Sequence, residues 1–375
     1  MTAAATPLSL LDAAVSGAVE RPTRVVVVDD SAVARRLIRA ILTSDAGIQI
    51  VGSASDPATA WDIIATQNPD VVTLDVEMPG MNGLTFLERL MRLRPTPVIM
   101  VSSLTEEGAE VALRALEMGA VDFIPKSSLR ADSASGRRSE ELIAKVRTAA
   151  TARVRPALVV NPVPPKPTSR VTEPVGGRVI ALGASTGGVE ALREILCALP
   201  ADCPPVLVAQ HMPPRFTARF AERLNGVAAA HVVEAQEGQL IVPGTVYIAP
   251  GDRQLRLGRW DRNYICRVTD DPPVNGHRPS VDVLFRSIAM AVGTQAAGAI
   301  LTGMGNDGAK GLKEMRVAGA RTLGQDMASC VVYGMPKAAA AIGATEEELP
   351  LEWIADRLLE LCGRNRAASV ASTCK

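Results

Sequence analysis

The feature that most constrains the fold is an alternation of short apolar segments with amphipathic ones, which occurs twice along the chain. In the first half, the apolar segments VVVV, VVTL and PVIMVS are separated by helical patterns, one of which begins at Ser31. In the second half, RVIALGA, PVLVAQ and AAGAILT are separated in the same way. Such alternation is typical of parallel sheets with helices on both faces. We therefore predict an α/β chain with two doubly wound parallel-sheet domains.

The two alternations are separated by residues 153–177, which are rich in proline and have no period, as is typical of a linker. A period of two between His231 and Asp271 predicts an antiparallel insert in the second domain. A length of 375 residues suits two cores. The predicted divisions are an N-terminal extension (1–22), a first domain (23–141), a linker (142–177), a second domain (178–363) and a tail (364–375).

Composition excludes several classes of partner. The 40 basic residues balance the 40 acidic ones, so no overall field favours nucleic acid or an anionic membrane. No apolar run approaches the roughly 20 residues of a membrane helix, and the first 22 residues lack the pattern of a signal peptide. The six cysteines have no CxxC spacing, which predicts reduced thiols, mostly in the core. We expect a cytoplasmic monomer that neither binds nucleic acid nor inserts into a membrane.

Polar side chains follow the strands predicted in the first domain. Asp29 and Asp30 come directly after VVVV, and Asp75 ends the VVTLD segment, so the three carboxylates should meet at one edge of the sheet. Because they repel one another, they predict a shared Mg²⁺ ion. Ser102 and Lys126 lie at the ends of later strands and complete the set of groups that phosphoryl transfer needs. Helix capping explains any one of these residues, but the whole set would then require five coincidences.

The second domain carries a predicted nucleophile. Ser185 lies in the motif GASTG, which fits G-x-S-x-G between a strand and a helix, although a simple helix N-cap is an alternative. His211 and Asp307 also follow predicted strands, so a hydroxyl, an imidazole and a carboxylate converge as a catalytic triad requires. The backbone N–H groups beside Thr186 or Met304 could hold an oxyanion. The order Ser, His, Asp differs from that of the α/β-hydrolases, so that fold is not expected.

Other interpretations of the second domain remain open at this point. The segment GMGNDG at 303–308 fits G-x-G-x-x-G and is followed by Asp326, which would suit a dinucleotide-dependent enzyme. Its late position and the unexplained serine and histidine argue against that interpretation. Cys330 is a weaker candidate nucleophile. A regulatory protein without enzymatic activity, whose second domain binds DNA or another protein, is a further alternative, although the balanced charge argues against DNA binding. His231 is interpreted as a solvated strand residue, and His277 either lines the site or solvates a turn.

Residues 24–141 resemble a response-regulator receiver domain in the motifs VVVVDDSAVARR, TLDVEMPGMNGLTFL, VIMVSSLT and GAVDFIPK. The resemblance implies that Asp75 accepts a phosphoryl group from a histidine kinase. It also implies that Asp30 and Asp75 bind Mg²⁺, with Asp29 acting nearby.

The same resemblance implies that Lys126 contacts the phosphate and that Ser102 and Phe123 relay the switch. The chain departs from the family at Ser127, where proline is usual. This departure puts the family's cis peptide in doubt but leaves the role of the lysine in place.

Residues 178–363 resemble the chemotaxis protein-glutamate methylesterases in IALGASTGG, VAQHMPPRFT, VYIAPGDRQL, HRPSVDVLF, AILTGMGNDGA and SCVVYGMPKAA. The resemblance implies a triad of Ser185, His211 and Asp307, with Met304 in the oxyanion hole and no cofactor in this domain. It implies that the substrates are methyl-glutamate side chains, and sometimes glutamines, on the cytoplasmic helices of chemoreceptors. The output would be adaptation in chemotaxis. We further predict that the unmodified receiver covers the cleft around Ser185 and that phosphorylation uncovers it.

Overall fold

The computed structural model describes residues 21–78, 82–102, 106–129, 137–154 and 178–363. Nearly all of the predicted N-terminal extension, most of the predicted linker and the whole tail therefore lie outside the described residues. Among the helices described, none is both long enough and apolar enough to cross a membrane.

The first domain is a five-stranded parallel sheet in the order β2-β1-β3-β4-β5. Helices α1 and α5 cover one face, and α2, α3 and α4 cover the other. The predicted doubly wound sheet is thus confirmed. Its elements are β1 (Thr23–Val28), α1 (Ala32–Thr43), β2 (Ile48–Ala54), α2 (Pro57–Gln67), β3 (Val71–Asp75), α3 (Gly83–Leu93), β4 (Val98–Ser102), α4 (Glu106–Glu117), β5 (Asp122–Pro125) and α5 (Arg137–Ala150).

Helix α5 extends the first domain beyond the division predicted at residue 141. Its residues Leu142, Val146 and Ala149 are fully buried against the sheet. Their spacing of three and four residues places them on one helical face, and packing of this face on the sheet stabilises the helix as far as Ala150. The predicted division between domain and linker therefore falls inside α5.

The second domain is a seven-stranded parallel sheet in the order β14-β13-β12-β6-β7-β9-β8, as the alternation predicts. Helices cover both of its faces. Its elements are β6 (Val179–Ala184), α6 (Gly188–Ala198), β7 (Val206–Gln210), α7 (Phe216–Val227), β8 (His231–Glu234), β9 (Thr245–Ile248), β10 (Gln254–Trp260), β11 (Asn263–Thr269), α8 (Val281–Ala291), β12 (Ala296–Ile300), α9 (Ala309–Val317), β13 (Arg321–Gln325), α10 (Met335–Ala341), β14 (Glu347–Leu349) and α11 (Leu351–Leu361).

The predicted antiparallel insert is present as the β10–β11 hairpin, but it is shorter than the sequence suggests. Strands β8 and β9 pair in parallel and extend the main sheet. Strand β8 lies at the edge of the sheet, where only one of its four residues is fully buried. A half-exposed parallel strand shows the same period of two as an antiparallel one, which is why the pattern could not separate them.

Candidate active site

Three adjacent strands bring the predicted triad to one edge of the second sheet. Ser185 directly follows β6, and His211 directly follows β7. The last residues of these two strands, Ala184 and Gln210, are register partners. Strand β12 pairs with the other side of β6, and the loop that follows it carries Asp307. The carboxyl ends of parallel strands thus bring together the residues that the sequence selects.

The histidine and the aspartate form a direct contact. The Nε2 atom of His211 lies 2.9 Å from Oδ2 of Asp307. The other ring nitrogen, Nδ1, is buried and has no hydrogen-bond partner among the described residues. Ser185 and His211 line the same cleft. Ser185 is therefore not hydrogen-bonded to His211 in this structure, and with Nε2 bonded to the carboxylate, Nδ1 is the ring nitrogen that remains without a partner in the described part of the chain.

Asp307 is held by a dense set of donors. It is buried, and it accepts hydrogen bonds from Ser280 Oγ at 2.8 Å, from Val281 N at 2.7 Å and from Asn275 Nδ2 at 2.8 Å. Ser280 is the N-cap of α8, so the carboxylate also lies at the positive end of that helix. Burial alone would raise the pKa of Asp307, but the bonds from His211, Asn275 and Ser280 outweigh it and lower the pKa to about 2. The group stays ionised, as an orienting carboxylate must.

The backbone fixes Ser185 independently of its side chain. Its N–H donates to Thr302 O at 3.0 Å, and Gln210 Nε2 donates to its carbonyl at 2.9 Å. The N-cap of α6 is Gly187, so the alternative that Ser185 is merely a helix cap is wrong. The hydroxyl is left for the cleft.

Thr186 and Met304, the residues predicted for the oxyanion hole, both line the cleft. Within the described ranges, neither backbone N–H donates a hydrogen bond to the protein. The side chain of each contacts the receiver domain. Thr186 Oγ1 donates to Asp122 Oδ2 at 2.6 Å, and Thr148 Oγ1 lies 2.8 Å from Met304 Sδ.

Both domains line the cleft, which has a volume of about 600 Å³. The ring of Phe123 at β5 stacks on that of Phe216 at the start of α7, with centroids 4.4 Å apart and planes 10° apart. Arg223 on α7 donates to Glu117 on α4 at 3.0 Å and also pairs with Glu110. The receiver therefore lies against the cleft through aromatic, polar and charged contacts.

The acidic cluster of the receiver forms as predicted. Asp29, Asp30 and Asp75 each offer a carboxylate oxygen, and these oxygens lie within 4.8 Å of one another. Burial raises the pKa of Asp75 to about 6, with repulsion from Asp29 in the same direction and Lys126 opposing it. Ser31, not either aspartate before it, is the N-cap of α1. The alternative that these aspartates are present only as helix caps is therefore not supported, since the caps of α1 and α3 are Ser31 and Asn82.

Two of the three predicted switch residues, Ser102 and Lys126, lie beside this cluster, and the third, Phe123, does not. Lys126 Nζ lies 2.7 Å from Asp75 Oδ2 and 3.3 Å from Asp29 Oδ2. Ser102 ends β4 and donates to Gly108 O at 3.0 Å. Phe123 lies in β5 and stacks on Phe216 at the interface between the domains. The Lys126–Ser127 peptide bond is trans, consistent with the absence of proline there.

The competing interpretations of the second domain lose their support. Asp326 accepts hydrogen bonds from Ser329 N and Oγ at 2.8 and 2.6 Å, so it organises a local turn instead of facing a ribose site. The glycine-rich segment 303–308 carries Asp307 of the triad. Burial raises the pKa of Cys330 to about 12, which removes the thiolate a nucleophile needs. The five cysteines in the described ranges are free thiols, and four of them are buried, as predicted.

Two residues of the site were missed or left undecided by sequence reasoning. Asn275 bonds directly to Asp307, and its only signal is the Asn-Gly pair of a tight turn. His277, for which two interpretations were open, lines the cleft and stacks on His211 with ring centroids 3.7 Å apart. His231 opens β8 and is partly exposed, as the sequence suggests.

Comparisons with known proteins agree with both halves of this arrangement. The family model of the CheB methylesterase matches residues 180–358, and that of the response regulator receiver domain matches residues 25–133. The chain is 52% identical over 357 residues to protein-glutamate methylesterase/protein-glutamine glutaminase 1 of Xanthomonas euvesicatoria pv. vesicatoria, covering 92% of this chain and 99% of that one.

A relative with the same name from Dechloromonas aromatica is 50% identical over 341 residues, which cover 90% of this chain and 97% of the relative. The solved catalytic domain of Thermotoga maritima CheB methylesterase is 38% identical, covers 50% of this chain and 100% of its own, and superimposes with a TM-score of 0.49. The identity to full-length relatives confirms the resemblance drawn from the motifs, and the chain belongs to the CheB methylesterase family with an N-terminal receiver domain.

Proposed function

We propose that this chain hydrolyses glutamate methyl esters on the cytoplasmic helices of chemoreceptors and that phosphorylation of Asp75 releases the activity. The observation that carries the proposal is the convergence of Ser185, His211 and Asp307 at the ends of three adjacent strands, with His211 bonded to Asp307. The name shared by the relatives, protein-glutamate methylesterase/protein-glutamine glutaminase, supports the substrate class.

The chemistry is acyl transfer in two steps. Ser185 Oγ attacks the ester carbonyl while His211 Nδ1 takes its proton, and Asp307 stabilises the imidazolium through Nε2. The N–H groups of Thr186 and Met304 hold the oxyanion, and each such donor contributes about 3 to 4 kcal/mol in other hydrolases. Collapse expels methanol, which receives the proton from His211. Water then attacks the acyl-serine with the same base and releases the glutamate carboxylate.

The same residues support deamidation of glutamine side chains. The amide carbonyl is attacked in the same way, and the proton on His211 passes to the departing nitrogen, which leaves as ammonia. The second half of the relatives' name supports this activity. Ammonia release from receptor fragments that carry glutamine at the same positions tests it separately from methanol release.

The receiver fits a magnesium ion. Asp29, Asp30 and Asp75 provide the hard oxygen ligands that Mg²⁺ prefers, and a cation would relieve the repulsion that contributes to the raised pKa of Asp75. When bound, the ion would neutralise charge on the incoming phosphoryl group. Asp75 accepts that group from a phosphohistidine of the chemotaxis kinase, and Lys126 pairs with it. We propose that the enzyme acts in the cytoplasm as a monomer.

The receiver inhibits the unphosphorylated enzyme by contact. Asp122 and Thr148 engage the two residues whose N–H groups form the oxyanion hole, and Phe123 contacts the catalytic domain beside the cleft. Phosphorylation draws Ser102 toward Asp75 and shifts Lys126, which already lies 2.7 Å from Asp75 Oδ2, onto the new phosphoryl group. Because Lys126 directly follows β5, this shift reaches Asp122 and Phe123 and loosens the contact.

Methanol release from methylated receptor fragments tests the proposal. The full chain with Mg²⁺ and acetyl phosphate should release methanol, and Ser185→Ala should reduce turnover to background. Ser44→Ala, at the end of α1, serves as the matched control and should behave as wild type. Asp75→Asn should keep the basal rate but lose activation. Turnover by Ser185→Ala equal to that of the control would exclude the proposed nucleophile.

A further inference from the structure

His277 lies flat against the proposed catalytic histidine. The rings of His277 and His211 are 3.7 Å apart at their centroids, and their planes differ by 6°. The hydrogen bond from His211 Nε2 to Asp307 fixes one direction of the ring but leaves its tilt about that bond free. A second ring packed on the face removes this freedom. The stack therefore determines where Nδ1 points.

A two-residue turn places His277 there. Val274 and His277 exchange backbone hydrogen bonds of 3.0 and 2.9 Å, with Asn275 and Gly276 between them. Both central residues have positive φ, 52° and 81°, which is the conformation that an Asn-Gly pair adopts most readily in a hairpin turn. Asn275 Nδ2 donates to Asp307 Oδ1. One turn thus contacts Asp307 through Asn275 and His211 through His277.

The turn is tied to the rest of the catalytic domain. Gln254 Nε2 at the start of β10 donates to the carbonyl of His277 at 3.3 Å. The next residue, Arg278, donates from Nε to Asp252 Oδ1 at 2.9 Å, and Asp252 N donates back to Arg278 O at 3.0 Å. These bonds hold the backbone on both sides of the ring. His277 is therefore placed rigidly enough to orient a neighbour.

We propose that His277 is a positioning residue of the hydrolase, which holds the plane of the His211 ring in the orientation that the proposed triad needs and which shields the imidazolium from water. The inference rests on the proposed triad and adds a fourth side chain that acts through His211. A structural role alone would change stability without a selective loss of kcat when the ring is replaced.

The electrostatic surroundings suit this role. Burial lowers the pKa of His277 to about 4, with His211 and Lys145 acting in the same direction and Asp307 opposing them. Lys145 belongs to α5 of the receiver, so the ring is faced by charged groups from both domains. At neutral pH His277 is uncharged. It therefore presents a neutral aromatic face, instead of a repelling charge, to the imidazolium that forms on His211 during turnover.

The test compares His277→Ala and His277→Phe in the phosphorylated full chain. Removal of the ring should lower kcat about tenfold with little change in KM, because a mis-tilted base slows proton transfer. Phenylalanine restores an apolar ring and should recover most of kcat. The matched control is His231→Ala, on the edge strand β8.

Equal kcat for His277→Ala and wild type would overturn the inference, and so would a His277→Phe enzyme as slow as His277→Ala. Melting temperatures by circular dichroism separate these results from unfolding, and the phenylalanine variant keeps the test valid if the alanine variant does not fold. Turnover that persists in the Ser185→Ala variant would instead overturn the proposed function itself.

Discussion

Asp307 receives more hydrogen bonds than its contact with His211 requires. Three donors besides His211 bond to it, namely Asn275, Ser280 and Val281. The position of the carboxylate therefore does not depend on the histidine. We expect Asp307→Asn to lower the rate of methanol release by about 10⁴-fold, because an amide favours the wrong tautomer of the imidazole. Asp326→Asn, in a turn of the same domain, is the control. A decrease of less than tenfold would show that the carboxylate does not orient His211.

The depressed pKa of His277 predicts how stability depends on pH. The unfolded chain binds a proton at this residue near pH 6.5, whereas the folded chain does so only near pH 4. Stability should therefore fall as the pH is lowered from about 6.5 to 4, because protons bind preferentially to the unfolded state. His277→Phe lacks this group and should lose less of its free energy of unfolding between pH 7 and 5. Denaturant titrations at both pH values measure the difference, and parallel losses in both proteins would contradict it.

The residues of the site differ in how well the sequence could predict them. Ser185, His211 and Asp307 follow strands that the apolar pattern locates, so their convergence follows from parallel pairing alone. Asn275 and His277 belong to a turn that returns to the sheet after the β10–β11 hairpin, and no period in the sequence shows where that turn lies. The stack of two histidines depends on tertiary packing.

At the scale of elements, helix α8 lies close to β6 because a glycine faces it. A Cβ on Gly183 would lie 2.2 Å from Val281 Cγ1 and 3.0 Å from Phe285 Cζ. We expect Gly183→Ala to cost about 1–3 kcal/mol of unfolding free energy by overpacking, and to lower activity because the first turn of α8 holds Asp307. Urea titration and methanol release measure both effects.

The control for this variant is Gly226→Ala in α7, where an added Cβ would meet nothing within 4 Å. A helix gains stability from alanine in place of glycine, so the control should be at least as stable as wild type. Equal stability of the Gly183 and Gly226 variants would mean that α8 can move away from β6 without cost.

Long buried elements were predictable, and short or edge elements were not. Helices α8, α9 and α11 have apolar faces that the sequence shows directly. Helix α10 spans only seven residues and β14 only three, too few for a period to emerge. The parallel pairing of β8 and β9 was missed because the apolar pattern of a half-exposed strand does not depend on the direction of its neighbour.

For the whole molecule, the contact between domains predicts how the basal rate can be raised. Arg223 of the catalytic domain pairs with Glu110 and Glu117 of the receiver. We expect Arg223→Ala to raise turnover of the unphosphorylated chain roughly fivefold, the effect of about 1 kcal/mol on the closed state. Turnover after treatment with acetyl phosphate should change little.

Arg357→Ala is the control, because Arg357 pairs with Glu347 and Glu360 inside the catalytic domain. An Arg223→Ala enzyme with an unchanged ratio of activated to basal rate would show that this ion pair does not hold the domains closed. The two domains were predictable from the repeated alternation and the receiver was expected to cover the cleft, whereas the residue pairs of this interface were not predictable. Its pairs join residues far apart in the chain, such as Asp122 and Thr186, that share no motif.

The cleft of about 600 Å³ between the domains has a pharmacological consequence. A small molecule that fills it contacts both halves at once, so it binds the closed enzyme and loses much of its surface when the halves separate. At a concentration of 100 times its Kd, such a compound would favour closure by about 2.7 kcal/mol. It would inhibit the enzyme without reacting with Ser185. The compound would favour the closed arrangement of the domains, whereas phosphorylation favours the open one.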